Sequence, residues 1–188
     1  MPTHYDIAMY WKTKYIQDNG TLVDCPEYCS NILSEPDCPI CFACGKILYP
    51  NDYLDTHTLK QIWNNSHTKH QLQKCHIYPK ALGGENVESN LFLMCSDCHR
   101  DSPDTIYRDM FFKWVRQRQK DGPTIVRAYR KALEICAEKN WNLAKIIDAY
   151  DMSTLLNEIY DELNTHGFNY SETSYIAWFI KRAEKEYT

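Results

Sequence analysis

The chain has 188 residues, of which 44% are hydrophobic, and its formal net charge at pH 7 is −4. This length suits one domain, or a small core with an appended domain. No run of residues approaches the ~20 apolar residues of a membrane-spanning helix, and the first residues lack the basic-then-apolar pattern of a signal peptide. We therefore expect a cytoplasmic protein that does not enter a membrane.

The charge is unevenly distributed along the chain. Residues 105–131 carry eight Lys and Arg against two Asp, whereas residues 132–188 carry five basic against ten acidic side chains. A concentrated positive field favours a phosphate-backbone partner, although a charged helical face is more often merely solvated.

The first forty residues contain an aromatic stretch that fits helical spacing and strand alternation equally well, so the pattern predicts either a helix or a strand. Asn19-Gly20 indicates a turn. Farther on, Asp55 or Thr56 could cap a short helix whose apolar positions are Leu59, Ile62 and Trp63.

The middle of the chain predicts a strand, a loop, a strand and a helix. The strands span Gln71–Ile77 and Leu91–Met94, and the helix begins near Ser96 and ends before Pro103. The remainder predicts amphipathic helices, ended or capped by Gly122-Pro123, Gly167 and Ser171. Their apolar faces hold Met110, Phe111, Trp114 and Val115; Ile125, Tyr129, Leu133 and Cys136; Leu155, Leu156, Ile159 and Leu163; and Ile176, Phe179 and Ala183.

Nine cysteines in an intracellular chain indicate metal ligands more often than disulfides. Two Cys-x-x-Cys turns supply four thiolates, which suit a closed tetrahedral zinc site: Cys41, Cys44, Cys95 and Cys98. Cys38 with Cys41 is an alternative first pair. Cys25, Cys29 and Cys38 either form a second site with a histidine or have no metal role.

After the first turn come two runs, the second of which contains the second turn: Lys74-Cys75-His76-Ile77-Tyr78-Pro79-Lys80-Ala81-Leu82-Gly83-Gly84 and Ser89-Asn90-Leu91-Phe92-Leu93-Met94-Cys95-Ser96-Asp97-Cys98-His99. The order CxxC, lone His, Asn, CxxCH resembles the zinc-bound branch of the HNH endonucleases, from Cys41 to Asp104. The resemblance implies an α+β, mostly helical fold: a ββα-metal core stapled by a four-cysteine zinc site, with a helical C-terminal region. The expected domains are an N-terminal segment (1–37), the nuclease core (38–104) and the helical region (105–188).

The resemblance also implies the catalytic roles. His76 matches the general base, Asn90 matches the residue that holds the base-carrying loop, and His99 matches a ligand of a catalytic Mg²⁺ or Mn²⁺. Cys75 departs from the family, which usually has Asp or His there, and a thiol serves Mg²⁺ poorly. Either the catalytic ion is softer than Mg²⁺, or water and substrate phosphate complete its coordination shell around His99. A third alternative is that Asp101 or Asp104 supplies the missing oxygen ligand.

The leading hypothesis is a metal-dependent DNA endonuclease of phage, restriction or mobile-element type that acts on double-stranded DNA. The alternatives are a non-catalytic, zinc-stapled nucleic-acid-binding module and a purely structural zinc domain with helical partners. Lys113, Arg116, Arg118 and Lys120 are the predicted DNA contacts, and the helical tail could equally form a homodimer. His57, His67 and His70 are interpreted as ordinary surface residues.

Overall fold

The computed structural model describes residues 1–26, 29–33, 35–36, 38–48, 57–165 and 170–187. Within them, helices predominate over two antiparallel two-stranded sheets, so the predicted α+β, mostly helical class is confirmed. The chain divides into two compact units, Met1–Gly122 and Pro123–Thr188. The domain boundaries predicted after residues 37 and 104 divide the chain by expected function, whereas these two units divide it by packing. The predicted boundaries therefore stay a prediction.

The undecided N-terminal stretch is a helix, α1 (His4–Trp11). A capping box starts it, because Thr3 accepts from the backbone of Asp6 and the Asp6 side chain accepts from that of Thr3. Helical spacing prevails because it places Ile7, Ala8 and Trp11 together in the core. A hairpin follows, in which β1 (Lys14–Ile16) pairs with β2 (Leu22–Asp24) across the predicted Asn19-Gly20 turn.

Two short helices precede the central motif: α2 (Leu59–Asn64) and α3 (Ser66–Gln71). Thr58 caps α2 and Asn65 caps α3 through their side chains. The predicted caps Asp55 and Thr56 lie outside the described residues. Gln71 ends a helix rather than beginning a strand, so the predicted strand boundary is corrected by two residues.

The central motif is a ββα unit, as predicted. Strand β3 (Gln73–His76) pairs antiparallel with β4 (Leu91–Met94), and α4 (Ser96–Asp101) follows. Strand β4 is buried throughout, which is why its apolar residues run without alternation.

Aromatic side chains tie α1 and the ββα unit into one core. The Trp11 ring lies edge-on to Phe92 at 5.0 Å between centroids, and Phe92 meets Phe42 and Phe111 at 5.2 and 5.6 Å. Such pairs add about 0.5–1.5 kcal/mol each beyond burial. The Trp11 indole N–H also donates to the Leu91 carbonyl at 2.7 Å, so α1 supports the strand that precedes the second Cys-x-x-Cys turn.

The last helix of the first unit is α5 (Arg108–Asp121). Phe111 and Val115 are buried and Trp114 is half-buried, as expected for the predicted apolar face. Met110 is 53% exposed, and Phe112 is buried instead. The prediction for Met110 was wrong because the buried stripe is centred one position farther along the helix.

The second unit is helical over its described residues and has its own core. Its elements are α6 (Thr124–Glu138), α7 (Leu143–Asp148), α8 (Met152–Glu162) and α9 (Glu172–Tyr187). The predicted apolar positions of α6 line this core, and α7 was not predicted. Ser171 caps α9 by accepting from the Ser174 N–H at 3.0 Å. The predicted helix end at Gly167 lies outside the described residues. Across the described chain, no helix combines the length and apolarity needed to cross a membrane.

Candidate active site and metal centre

Four thiols meet in the first unit. The Sγ atoms all lie within 4.8 Å of one another, with Cys44 and Cys95 at 3.9 Å, and the side chains are buried. Ligands of a tetrahedral zinc with Zn–S bonds near 2.3 Å are about 3.8 Å apart, so the cluster could hold a zinc ion. Among the described residues it is the one group of His, Cys, Asp or Glu with such geometry: Cys41, Cys44, Cys95 and Cys98.

Backbone geometry explains how two tight turns deliver these thiols. The Gly45 N–H donates to the Cys41 carbonyl at 2.9 Å, and Gly45 adopts a φ of 71° that favours glycine. The Phe42 N–H donates to the Leu93 carbonyl, which fixes this turn to β4. Cys95 caps α4 and Cys98 lies in its first turn.

The electrostatics of the cluster suit a bound cation. Burial raises the pKa of the Cys41 thiol well above its usual range, whereas a hydrogen bond with Cys41 lowers the pKa of Cys95. Four thiolates in a buried site repel one another, and a divalent ion compensates that repulsion while deprotonating the thiols. None of the nine cysteines, all of them described, forms a disulfide, and Cys25, Cys29 and Cys38 are not part of the cluster.

His76 ends β3 at the edge of the ββα unit and is half-buried. Its Nε2 lies 2.9 Å from Asn86 Oδ1. Because an amide oxygen only accepts, Nε2 carries the proton, and Nδ1 is the nitrogen left to accept another. The ring is thus oriented by a loop residue that the sequence did not single out.

Asn90 holds the loop that follows His76. Its amide accepts from the Tyr78 N–H at 2.8 Å and donates to the carbonyls of Tyr78 and Glu85, both at 3.0 Å. The side chain is only 5% exposed, and each such bond contributes about 1 kcal/mol. The amide therefore joins both ends of the 78–85 loop to the start of β4.

Gly84 makes this closure sterically feasible. A Cβ at this position would lie 1.9 Å from the Tyr78 carbonyl oxygen and 3.0 Å from Asn90 Nδ2. Gly83 beside it has a φ of 99° but open space around it. Gly84 allows the Tyr78 carbonyl to approach closely, and Gly83 allows the positive φ of the turn.

His99 projects from α4 and is half-buried. Its Nδ1 lies 2.5 Å from Gln73 Oε1 on β3. Nδ1 therefore donates, and the lone pair of Nε2 remains for a ligand. Metal-bound histidines commonly have such a second hydrogen bond, which fixes tautomer and ring orientation.

Cys75 precedes His76 on β3 and offers no hard ligand. The thiol is buried and lies 3.4 Å from Ser102 Oγ, and Ser102 in turn donates to the His99 carbonyl. Burial raises the pKa of Cys75, and the nearby Asp104 carboxylate adds to the rise. Asp101 is occupied by Arg118 at 3.0 Å and Arg100 at 3.4 Å. Of the two carboxylates that could replace the oxygen ligand missing at Cys75, Asp104 is thus the better candidate.

The cations predicted to contact DNA on α5 all have acidic partners. Lys113 pairs with Asp109, Arg118 with Asp101, and both Arg116 and Lys120 with Asp18, at 3.0 to 3.5 Å. Four cations thus face three carboxylates, which leaves little net charge on this face. Their role in DNA binding stays a prediction.

Gln73 and Asn86 are the functional candidates that the sequence interpretation missed. Strand alternation places Gln73 on the same face as Cys75, so a signal for it existed. Asn86 lies in a loop, where no periodicity indicates direction.

Residues 63–104 match the family model described as HNH endonuclease. The predicted resemblance is confirmed for this segment, which contains β3, β4 and α4 and begins after the first Cys-x-x-Cys turn. The chain thus carries a segment of a nuclease-type family. No curated protein and no solved structure matches the chain.

Proposed function

We propose that the chain is a metal-dependent endonuclease that hydrolyses phosphodiester bonds of DNA, with His76 as general base. The observation that carries the proposal is the position of His76 in the matched segment. It stands at the end of β3, next to a loop that Asn90 holds by three hydrogen bonds.

His76 supplies the proton transfer. With Nε2–H directed at Asn86, Nδ1 takes the proton of the water that attacks phosphorus. An imidazole suits this role because its ordinary pKa lies near neutrality. The Asn86 carbonyl oxygen then faces the positive ring and stabilises it.

The residues fit a catalytic metal only in part. His99 offers Nε2, oriented through Gln73, but the protonated Cys75 thiol replaces a hard oxygen ligand. A bound Mg²⁺ or Mn²⁺ would polarise the scissile phosphate and neutralise the leaving 3′ oxygen. Since Mn²⁺ accepts nitrogen ligands more readily than Mg²⁺, we favour Mn²⁺ as the more effective ion.

The second candidate is a zinc-stapled module that binds nucleic acid without cutting it. Cys75 favours it, because the thiol removes a ligand on which metal-dependent chemistry usually depends. The four-thiolate site would be structural under both functions.

Incubation with plasmid distinguishes them. Purified protein is incubated with supercoiled DNA and Mg²⁺, Mn²⁺ or EDTA, and nicked and linear products are quantified over time. Metal-dependent products that EDTA abolishes support the nuclease. Stable DNA binding without products under any ion supports the module.

A further inference from the structure

Residues 57–84 carry four lysines and four histidines but no Asp or Glu. At the chain's overall content of 25 acidic residues in 188, a stretch of this length would hold about four. We call it the acid-free segment. It spans α2, α3, β3 and the first part of the loop after His76.

The lysines of this segment have no carboxylate within ion-pair distance among the described residues. Lys60, Lys69 and Lys80 are exposed and Lys74 is half-buried. Every lysine predicted on α5, by contrast, has an acidic partner. The segment therefore offers positive charge that α5 does not.

Packing brings several of these charges close together. The buried Thr68 hydroxyl donates to the Ile62 carbonyl at 3.0 Å, which docks α3 on α2 and leaves Lys69 and His70 exposed. Lys74 Nζ donates to the Pro2 carbonyl at 2.6 Å. Burial lowers the pKa of Lys74, and the neighbouring Lys69 lowers it further.

One carboxylate, Asp6 on α1, lies near Lys60 and Lys74. Its side chain accepts from the Thr3 backbone N–H and hydroxyl at 2.8 and 2.7 Å, and this capping box holds it at the start of α1. Because this carboxylate is engaged by Thr3, the four lysines outnumber the carboxylate found near them among the described residues. An open depression on the same segment is lined by polar side chains of the kinds that contact phosphates, of which Thr58 and Asn65 also cap α2 and α3: His57, Thr58, Lys60, Gln61, Asn64 and Asn65.

The segment is also continuous with the candidate active site. Strand β3 leads from α3 to Gln73 and His76, and Lys80 follows in the loop that Asn90 holds. A phosphate backbone lying along the segment would therefore reach the candidate base without a further element.

We propose that the acid-free segment, rather than α5, is the surface of this protein that contacts the phosphate backbone of duplex DNA. The inference rests on the proposed function for its choice of partner. It depends on neither cleavage nor a catalytic metal.

Salt dependence of binding tests the proposal. The full-length protein is titrated against a fluorescein-labelled DNA duplex of about 30 base pairs without added divalent ions, at NaCl concentrations from about 50 to 300 mM, the range over which phosphate contacts change affinity most. The intactness of the DNA is checked on a gel. One variant replaces three exposed lysines of the segment: Lys60→Ala, Lys69→Ala and Lys80→Ala. The matched control replaces three exposed but ion-paired lysines: Lys113→Ala, Lys120→Ala and Lys131→Ala.

Each lost phosphate contact lowers the slope of log K against log salt by about 0.9. We expect the segment variant to lose a slope of about 2 to 3 and to bind at least about tenfold more weakly at roughly 100 mM NaCl. The control should keep the parental slope. A Lys→Arg version of the segment variant should also keep it, which separates charge from folding.

Equal losses in both triple variants would overturn the proposal, because a general charge effect would explain them. A loss confined to the control would also overturn it and would favour the lysines of α5 and α6. A parent that binds no duplex DNA at about 50 mM NaCl, or that binds duplex RNA of the same sequence more tightly, would overturn the assigned partner. Binding with the expected slopes but without metal-dependent cleavage would leave this surface standing and remove only the proposed nuclease activity.

Discussion

Gln73 and His99, 26 residues apart, are joined by a hydrogen bond of 2.5 Å between Oε1 and Nδ1. The bond connects β3 to α4 and leaves Nε2 as the His99 nitrogen that can accept a ligand. It is the contact on which a metal role for His99 depends most.

Replacing Gln73 should therefore weaken metal use. We expect Gln73→Leu to raise the Mn²⁺ concentration for half-maximal cleavage about 10- to 100-fold, the usual cost of losing a partner of a metal-bound histidine. Gln73→Glu keeps an acceptor and should stay near the parent. A Mn²⁺ titration of cleavage measures both, and an unchanged midpoint for Gln73→Leu would refute the positioning role.

The thiolate cluster predicts a structural metal. Cys41→Ser or Cys98→Ser should lose zinc and on the order of several kcal/mol of folding free energy. Cys29→Ser is the matched control, since Cys29 is exposed and outside the cluster. Elemental analysis and thermal unfolding report the result. Parent protein purified without chelator but devoid of zinc would contradict the assignment.

The loop after His76 makes a steric prediction. Gly84→Ala should push the Tyr78 carbonyl away from Asn90, because a Cβ would lie 1.9 Å from that oxygen. We expect about 1–3 kcal/mol of destabilisation from the forced contact and a large loss of cleavage. Gly83→Ala strains only the turn, at about 1–2 kcal/mol, and should remain active. Urea unfolding and cleavage rates for the pair test this, and equal activities would show that the loop closure does not matter to the site.

Short-range patterns in the sequence were sufficient to predict the central motif. The two Cys-x-x-Cys turns, β4 and α4 follow from spacing and apolar runs, so the thiolate cluster and the ββα order could be inferred. Helix α1 was not predicted, because its aromatic residues fit both periods; the packing of Trp11 on Phe92 and the capping box of Thr3 and Asp6 favour the helix.

The long-range charge pairs could not be predicted from the sequence, unlike the i,i+4 pair of Asp109 and Lys113. Arg116 and Asp18 are 98 residues apart, and nothing local indicates that they meet. The helical pattern of α5 therefore looked like a free cationic face. The absence of Asp and Glu from residues 57–84 is visible in the sequence, whereas the exposure of the lysines there required the structure.

Cys75 yields a gain-of-function prediction. Cys75→Asp would place a hard oxygen beside Ser102 on the side of β3 that faces α4. Because Mg²⁺ prefers such oxygens, Mg²⁺-supported cleavage should be preserved or rise relative to Mn²⁺-supported cleavage. Cys75→Ser controls for loss of the thiol alone. A lower Mg²⁺-to-Mn²⁺ ratio of rates in Cys75→Asp would show that position 75 does not contribute to the ion's shell.

The general base is the central claim, and single-turnover cleavage of supercoiled plasmid by His76→Ala tests it most directly. Zinc content, thermal unfolding and duplex affinity should match the parent, because the imidazole is half-buried at a strand end and acts in the chemical step. The rate should fall about 10²–10⁴-fold, the usual cost of losing a general base. A His76→Ala protein that cuts as fast as the parent would contradict the mechanism.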